Sequence, residues 1–279
     1  MRVGVLHPGE MGASVAASLL AGSHEVAWCS AGRSEHSHTR AVELREFSQL
    51  DDLVAWAEVL ISVCPPANAL QQAQAVQACA FDGLYVDANA IAPATALAIA
   101  QLMGAAYVDG GIIGPPAWQP GTTRMYLSGN NANAVAALFT DAVLDAIAIP
   151  QAEVDEAAAS ALKMAYAAYT KGHSALLLAA NALAHNSGVL DVLRSEWELS
   201  LPGLGQRSEI TAQAISAKAW RFVGEMQEIS ATFAGAGLPA EFHNGAAELY
   251  ARLSEFKDQP PASLDKLLDV LAQAEDTSG

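Results

Sequence analysis

Basic residues are scarce: 14 Lys and Arg stand against 30 Asp and Glu in 279 residues, a formal net charge of -16. Sequence-independent binding to nucleic acid needs cations that displace the counterions condensed on phosphates, so no DNA or RNA partner is expected. An anionic ligand must instead find a local basic pocket. Cysteine is scarce as well. Cys29, Cys64 and Cys79 are an odd number without C-x-x-C spacing or a nearby His pair, which argues against a metal site and fits a reducing cytoplasm. The opening MRVGVLHPGEMG has neither the long apolar core nor the small-residue cleavage site of an export signal. The most apolar long stretch, Ala157 to Leu190, is broken by Lys163, Lys171, His173, Asn181, His185 and Asn186, too many polar groups for a membrane span. The expectation is a cytoplasmic chain with no membrane partner.

What is present is a folded, strongly helical composition, with 52% apolar and 16% charged residues. The length suits two domains. Short β-type runs alternate with helical ones through the first half: RVGVL then EMGASVAASLLAG, HEVAWCS then EHSHTRAVEL, VLISVC then ANALQQAQAVQACA, GLYVDA then PATALAIAQLMG. That rhythm predicts a mostly parallel, doubly wound sheet covered by helices on both faces. YVDGGIIG, RMYLSG and AIAIP add strands at the far edge, the pattern changes near Gln151, and the rest is helical with breaks at LPGLG, GAGLPA and DQPPAS. The predicted organisation is an α/β dinucleotide-binding domain over 1–155 and an all-α domain over 156–279. The first long helix of that second domain carries only Lys163 and Lys171 between Glu156 and Asp191. A helix apolar nearly all round must be covered by protein, either by its own chain or, as favoured here, by the second subunit of a homodimer.

HPGEMG follows the first strand where a dinucleotide-binding turn carries G-x-G-x-x-G. Gly9 allows close approach of a pyrophosphate to backbone N–H groups at a helix N-terminus, and Gly12 lets helix lie on strand. His7 takes the first glycine's place; it either faces the cofactor or simply ends the strand. A G-x-x-G after a strand is weak alone. At the end of the second strand, AWCSAGRS has no carboxylate for a ribose 2′-OH; Ser30, Arg33 and Ser34 form a short polar loop instead. An acid there would repel a 2′-phosphate and a guanidinium would bind it, so NADP is favoured over NAD, with an ordinary solvated loop arginine as the alternative.

With these blocks in order, the chain resembles the β-hydroxyacid dehydrogenase superfamily, close to its 6-phosphogluconate dehydrogenase-like branch, over nearly its whole length. GVLHPGEMG matches the fingerprint G-x-I-G-L-G-x-M-G, ISVCPP the end of the fourth strand, VDANAIAP the D-x-S-T-x-x-P block and YVDGGIIGPP the D-A-P-V-S-G-G loop. The resemblance implies a Rossmann domain, a long interdomain helix and an all-helical domain through which subunits pair. It places His7, Pro8, Gly9, Glu10, Met11, Ser30, Arg33, Ser34, Cys64, Pro65 and Asn89 at the cofactor and Asn89, Gly114 and Thr170 at a small-molecule substrate. It also implies a catalytic lysine early on the long helix, where Lys163 opens KMAYAA against the family's K-M-V-H-N-G. Tyr166 and Ala167 replace the family's His and Asn, and Ile113 its loop serine, departures that fall on substrate recognition.

The residues themselves support part of this. At about 100° per residue, Lys163, Tyr166, Thr170, Ser174 and Asn181 fall within about 60° of one helix side. A polar stripe on an apolar helix must be paired or line a cavity, and the cavity is favoured. Lys163 suits acid–base work on the alkoxide that hydride addition leaves, with Tyr166 as the other donor. Asn89 either binds substrate or the nicotinamide carboxamide, or caps the helix near Pro93. Arg124 either anchors an anionic substrate or sits on an exposed strand. Glu225 is expected to pair with Arg221 at i, i+4 spacing, and His243 and Asn244 are weak candidates for reaching a partner's site. The leading expectation is an NADP-dependent oxidoreductase acting on a small hydroxy or carbonyl compound; imine reduction and a non-catalytic NADP-binding protein are the alternatives.

Overall fold

The computed structural model describes residues 1–150, 156–257, 259, 261 and 263–272. The chain divides into two compact units, Met1–Met164 and Ala165–Gly279. Residue 155, where the sequence places the domain boundary, lies outside the described residues.

The strands are β1 (Arg2–Val5), β2 (Glu25–Cys29), β3 (Arg45–Phe47), β4 (Val59–Ser62), β5 (Leu84–Asp87), β6 (Tyr107–Ile113), β7 (Arg124–Ser128) and β8 (Asp145–Ala148). The helices are α1 (Glu10–Ala21), α2 (Glu35–Arg40), α3 (Leu50–Trp56), α4 (Ala69–Ala78), α5 (Pro93–Met103), α6 (Ala132–Ala136), α7 (Ala158–Asn186), α8 (Leu190–Ser200), α9 (Leu204–Ser216), α10 (Ala219–Gly235), α11 (Glu241–Arg252) and α12 (Leu264–Ala272).

Among the described residues, all eight strands form one sheet in the order β3-β2-β1-β4-β5-β6-β7-β8. β1 to β6 pair in parallel, β7 turns back antiparallel to β6, and β8 runs parallel to β7. The mostly parallel sheet followed by helices is the expected fold class, with the last two strands at the far edge.

Alternation along each strand sends its side chains to two cores. Val3, Val5, Val59, Ile61, Val86 and Val108 pack with Val15 and Leu19 of α1 and Val135 of α6. Leu60, Tyr85 and Tyr107 pack on the other face with Leu53 of α3, Val76 of α4 and Ile99 of α5. The order reverses between β1 and β4, the switch point at whose strand C-termini an open α/β sheet leaves a crevice for ligands.

In the second unit, α7 from Ala165 onward is tied to its neighbours by polar contacts. The Tyr250 hydroxyl on α11 donates to the Lys171 carbonyl at 2.7 Å. Glu225 on α10 pairs with Lys171 at 2.8 Å, and the Lys171 ammonium sits 5.0 Å from the Phe222 ring centre. This corrects the expected partner of Glu225: a long side chain from the facing helix reaches it. His243 is also corrected. It is buried against Phe233 and Phe242 within its own unit, ring centres 4.2 and 5.3 Å apart, and burial lowers its pKa.

Candidate functional site

The cofactor residues expected from the sequence converge where β1, β2 and β4 end. Leu6 extends β1 by donating to the Ile61 carbonyl at 3.0 Å, and Pro8 beyond it is buried. The chain then tightens: the Gly9 N–H donates to the His7 carbonyl at 2.9 Å, and Gly9 is the residue before α1. The two fingerprint glycines answer to different neighbours. A Cβ at Gly12 would stand 1.9 Å from the His7 carbonyl oxygen, whereas one at Gly9 would meet nothing within 4 Å among the described residues. Gly12 is therefore the close contact of helix and strand, and Gly9 leaves open space before the α1 N-terminus, where backbone donors and the helix dipole favour an anion.

Arg33 approaches this turn from the loop after β2. It is half-buried, and its charge bears on the His7 imidazole and on the Cys29 and Cys64 thiols. Desolvation first, and Arg33 second, hold the His7 pKa down at about 4. Burial likewise pushes the Cys64 thiol up to about 11 and lowers Arg33. The buried His7 Nδ1 and Arg33 Nε have no hydrogen-bond partner among the described residues. Buried polar atoms are normally satisfied, each orphan costing about 1–3 kcal/mol, so two together mark a place built for a ligand's acceptors. The open ground at Gly9 and these orphaned nitrogens fit a phosphate-bearing nucleotide.

Other expected cofactor residues have local duties. The exposed Ser34 hydroxyl accepts from the Ser37 N–H and caps α2, and Ser30 pairs by backbone with Phe47. Exposed Glu10 faces Arg40 at 3.8 Å, Met11 packs on the α1 core, and Pro65 is exposed.

Asn89 departs from its expected role. It is 2% exposed; its Nδ2 donates to Asp87 Oδ2 at 2.9 Å and Ser62 Oγ at 3.2 Å, and its Oδ1 accepts from the Cys64 N–H. Both amide hydrogens are spent inside the protein, and the N-cap position of α5 is held by Ala92, not Asn89. Asn89 thus fixes the loop carrying Cys64 and Pro65.

It belongs to a buried polar row that the sequence reading missed. Ser62, Asp87, Asp109 and Ser128 stand side by side on β4, β5, β6 and β7, all at most 2% exposed. Asp109 accepts from the Ser160 N–H at 2.7 Å and Ser160 hydroxyl at 2.6 Å, and from Ser128 at 3.2 Å. Ser128 in turn accepts from the Ala159 N–H at 3.0 Å. The carboxylate and hydroxyl satisfy first-turn N–H groups of α7 that have no partner within the helix. Burial pushes Asp87 up to about 7 and Asp109 to about 6, each partly offset by these bonds. The available signal was an aspartate inside an apolar strand run, in LYVDAN and YVDGG.

Lys163 lies one turn beyond this anchor, half-buried. A Cβ at Gly111 on β6 would stand 2.5 Å from the Ala159 carbonyl oxygen and 3.1 Å from the Lys163 Cβ. Helix backbone thus lies directly on strand, and the lysine is held beside Gly111 in the second half of β6. Gly114, just past that strand, is exposed with φ 130° and closes on Thr122 and Thr123.

Tyr166 and Thr170 lie in the second unit. Tyr166 is 50% exposed. Thr170 donates to the Tyr166 carbonyl at 3.2 Å, Ser174 to Thr170 at 2.9 Å and Asn181 Nδ2 to Leu177 at 2.8 Å. The expected polar stripe is satisfied in part by the carbonyls of its own helix, a bond that hydroxyls make one turn back. Arg124 is half-buried on β7 and donates to the Gly121 carbonyl at 3.3 Å.

A family model described as a domain of unknown function, DUF1932, matches residues 184–253. The chain is 32% identical over 196 residues, 69% of its length and 74% of the other's, to an "Uncharacterized 28.5 kDa protein in 7S RNA 5'region" of Methanothermus fervidus. Among solved structures, a conserved protein of unknown function, described as structurally similar to 3-hydroxyacid dehydrogenases, matches with a TM-score of 0.70 at 24% identity, over 98% of this chain and 100% of that one. Mycobacterium tuberculosis 3-hydroxyisobutyrate dehydrogenase matches at 0.69 and 16% identity, over 98% and 99%. A reductive aminase from Aspergillus terreus in complex with NADPH and ethyl-5-oxohexanoate matches at 0.53 and 18%, over 96% and 98%. The chain belongs to the family of the Methanothermus fervidus protein, and its fold is the one seen in 3-hydroxyacid dehydrogenases.

Proposed function

We propose that the protein is an NADP-dependent oxidoreductase that moves hydride between the nicotinamide and a small hydroxy or carbonyl compound. The observation that carries the reading is the open ground at Gly9, flanked by the orphaned His7 Nδ1 and Arg33 Nε at the β1–β4 switch point. Fold neighbours that are dehydrogenases, and a reductase solved with NADPH, support a nicotinamide cofactor. Arg33, with no acid at the end of β2, supports the 2′-phosphorylated form.

A bound nicotinamide supplies the hydride. The chain supplies the rest: Gly9 and the first turn of α1 bind the diphosphate, and Arg33 binds the 2′-phosphate. Lys163, fixed by Gly111 and the Asp109–Ser160 anchor, gives or takes the proton at the reacting oxygen. Asn89 holds the Cys64 loop in place.

A second reading, imine reduction, is favoured by the likeness to the reductive aminase and by exposed Tyr166 one turn past Lys163. The chain is also read as a homodimer through its helical unit. Tyr169, Leu176, Leu183, Val192 and Leu199 of α7 and α8 are each more than half exposed, and apolar surface left in this way marks an interaction face.

Wild type and Lys163→Ala assayed with NADPH against β-keto acids, aldehydes and cyclic imines test the reading. Carbonyl turnover should fall by about 10²–10⁴-fold in the variant with nucleotide binding unchanged. Turnover of imines alone would support the second reading, and full carbonyl turnover by Lys163→Ala would contradict the first.

A further inference from the structure

His7 is where this chain departs from the dinucleotide fingerprint, and its surroundings suggest a use for the departure. Its backbone is clamped twice, by the Gly9 N–H at 2.9 Å on its carbonyl and by Gly12, whose Cα leaves no room for a Cβ against the same oxygen. The imidazole therefore cannot swing away with the main chain. Its Nδ1 is buried and unpartnered, as is the Nε of Arg33 beside it. Two nitrogenous groups that repel each other when both are charged are held together in a half-buried place, and the repulsion contributes to keeping His7 neutral.

Of the groups around them, the Cys29 and Cys64 thiols flank Arg33 from β2 and the loop after β4. On α1, Glu10 faces Arg40, and below the loop Asp87 is hydrogen-bonded to Asn89. A group able to satisfy both His7 and Arg33 must present several acceptors and enough negative charge to make a protonated imidazole favourable. A phosphate monoester does this: it carries close to two negative charges near neutral pH and three acceptor oxygens. A diphosphate linkage spreads one charge over each phosphorus and has no proton to exchange near pH 7.

We propose that His7 and Arg33 form one cradle for the 2′-phosphate of NADPH, and that His7 takes up a proton as the phosphate enters. The inference rests on the nucleotide reading above. The sign of the coupling follows from the neighbours. In the free protein burial and Arg33 keep the imidazole neutral down to about pH 4; a dianion against it favours the charged form and raises its pKa. The phosphate, beside Arg33, would release protons rather than gain them, so net uptake reports His7.

Calorimetric titration of the whole protein with NADPH and with NADH, in buffers of different ionisation heat between pH 6 and 8, tests this. NADPH binds several-fold more tightly at pH 6 than at pH 8 with net proton uptake, while NADH affinity stays nearly flat. His7→Gln binds NADPH more weakly and without uptake, and Arg33→Gln loses the preference for NADPH over NADH. Tight NADPH binding without proton uptake, or uptake that survives in His7→Gln, overturns the proposal and leaves the nucleotide reading standing. Equal uptake with NADH overturns the 2′-phosphate assignment. No binding of either nucleotide overturns the proposal together with that reading.

Discussion

Gly9 and Gly12 lie one helical turn apart and are predicted to fail in different ways. Gly12→Ala forces a methyl into the His7 carbonyl, 1.9 Å away, an overpacking between backbones that should cost about 3 kcal/mol or more and lower Tm in thermal denaturation. Gly9→Ala meets no protein atom within 4 Å and its φ of -70° suits alanine, so Tm should stay within about 2 °C while nucleotide affinity falls. Asp87 supplies a pH signature. Its folded pKa, about 7, lies above its ordinary value of 3.8, so the stability it contributes is full below about pH 4 and is lost as pH rises through 7. Asp87→Asn, which mimics the protonated acid, should therefore gain Tm relative to wild type on going from pH 5.5 to pH 8; a constant difference would contradict the account. At this scale the sequence exposed His7, Gly9, Gly12 and Arg33, because turn chemistry is local. It hid the use of Asn89, Asp109 and Ser160, whose partners are up to 51 positions away in the chain.

At the scale of elements, the start of α7 decides where Lys163 stands. Gly111→Ala places a methyl 2.5 Å from the Ala159 carbonyl oxygen, lifting the helix from β6. A shift of about 1 Å should cost on the order of 100-fold in turnover with little change in nucleotide affinity, measured on the same preparation. β1, β2, β4 and β5 were legible because each is a short apolar run bounded by turn residues. β3 was missed because Arg45–Phe47 is a short strand with two exposed residues of three and no apolar alternation. α2 ends at Arg40, short of the expected helix, because the chain turns there: the Leu44 N–H donates to the Ala41 carbonyl at 2.9 Å. The spacing lines up the polar residues of α7, but periodicity cannot tell a hydroxyl facing a cavity from one bonded to its own helix.

For the whole molecule, the apolar side chains left uncovered on α7 and α8 predict a dimer. Light scattering on the eluting protein should give about twice the 29.0 kDa chain mass, and charged residues at Leu176 and Leu183, both on α7, should reduce it to the monomer. The deficit of basic residues was informative at this scale too, since it left Arg33 conspicuous beside an acid-free strand end. What the sequence withheld is the substrate, because Ile113, Tyr166 and Ala167 depart from the pattern of the enzymes it resembles at the positions expected to contact substrate. The central claim is that the switch-point crevice holds a nicotinamide nucleotide on Gly9. Titration of intrinsic fluorescence with NADPH, on wild type and Gly9→Ala side by side, tests it most directly. The account predicts saturable binding to wild type that weakens at least about tenfold in a Gly9→Ala protein of unchanged Tm; equal affinity in the two proteins, or no binding to wild type, would contradict it.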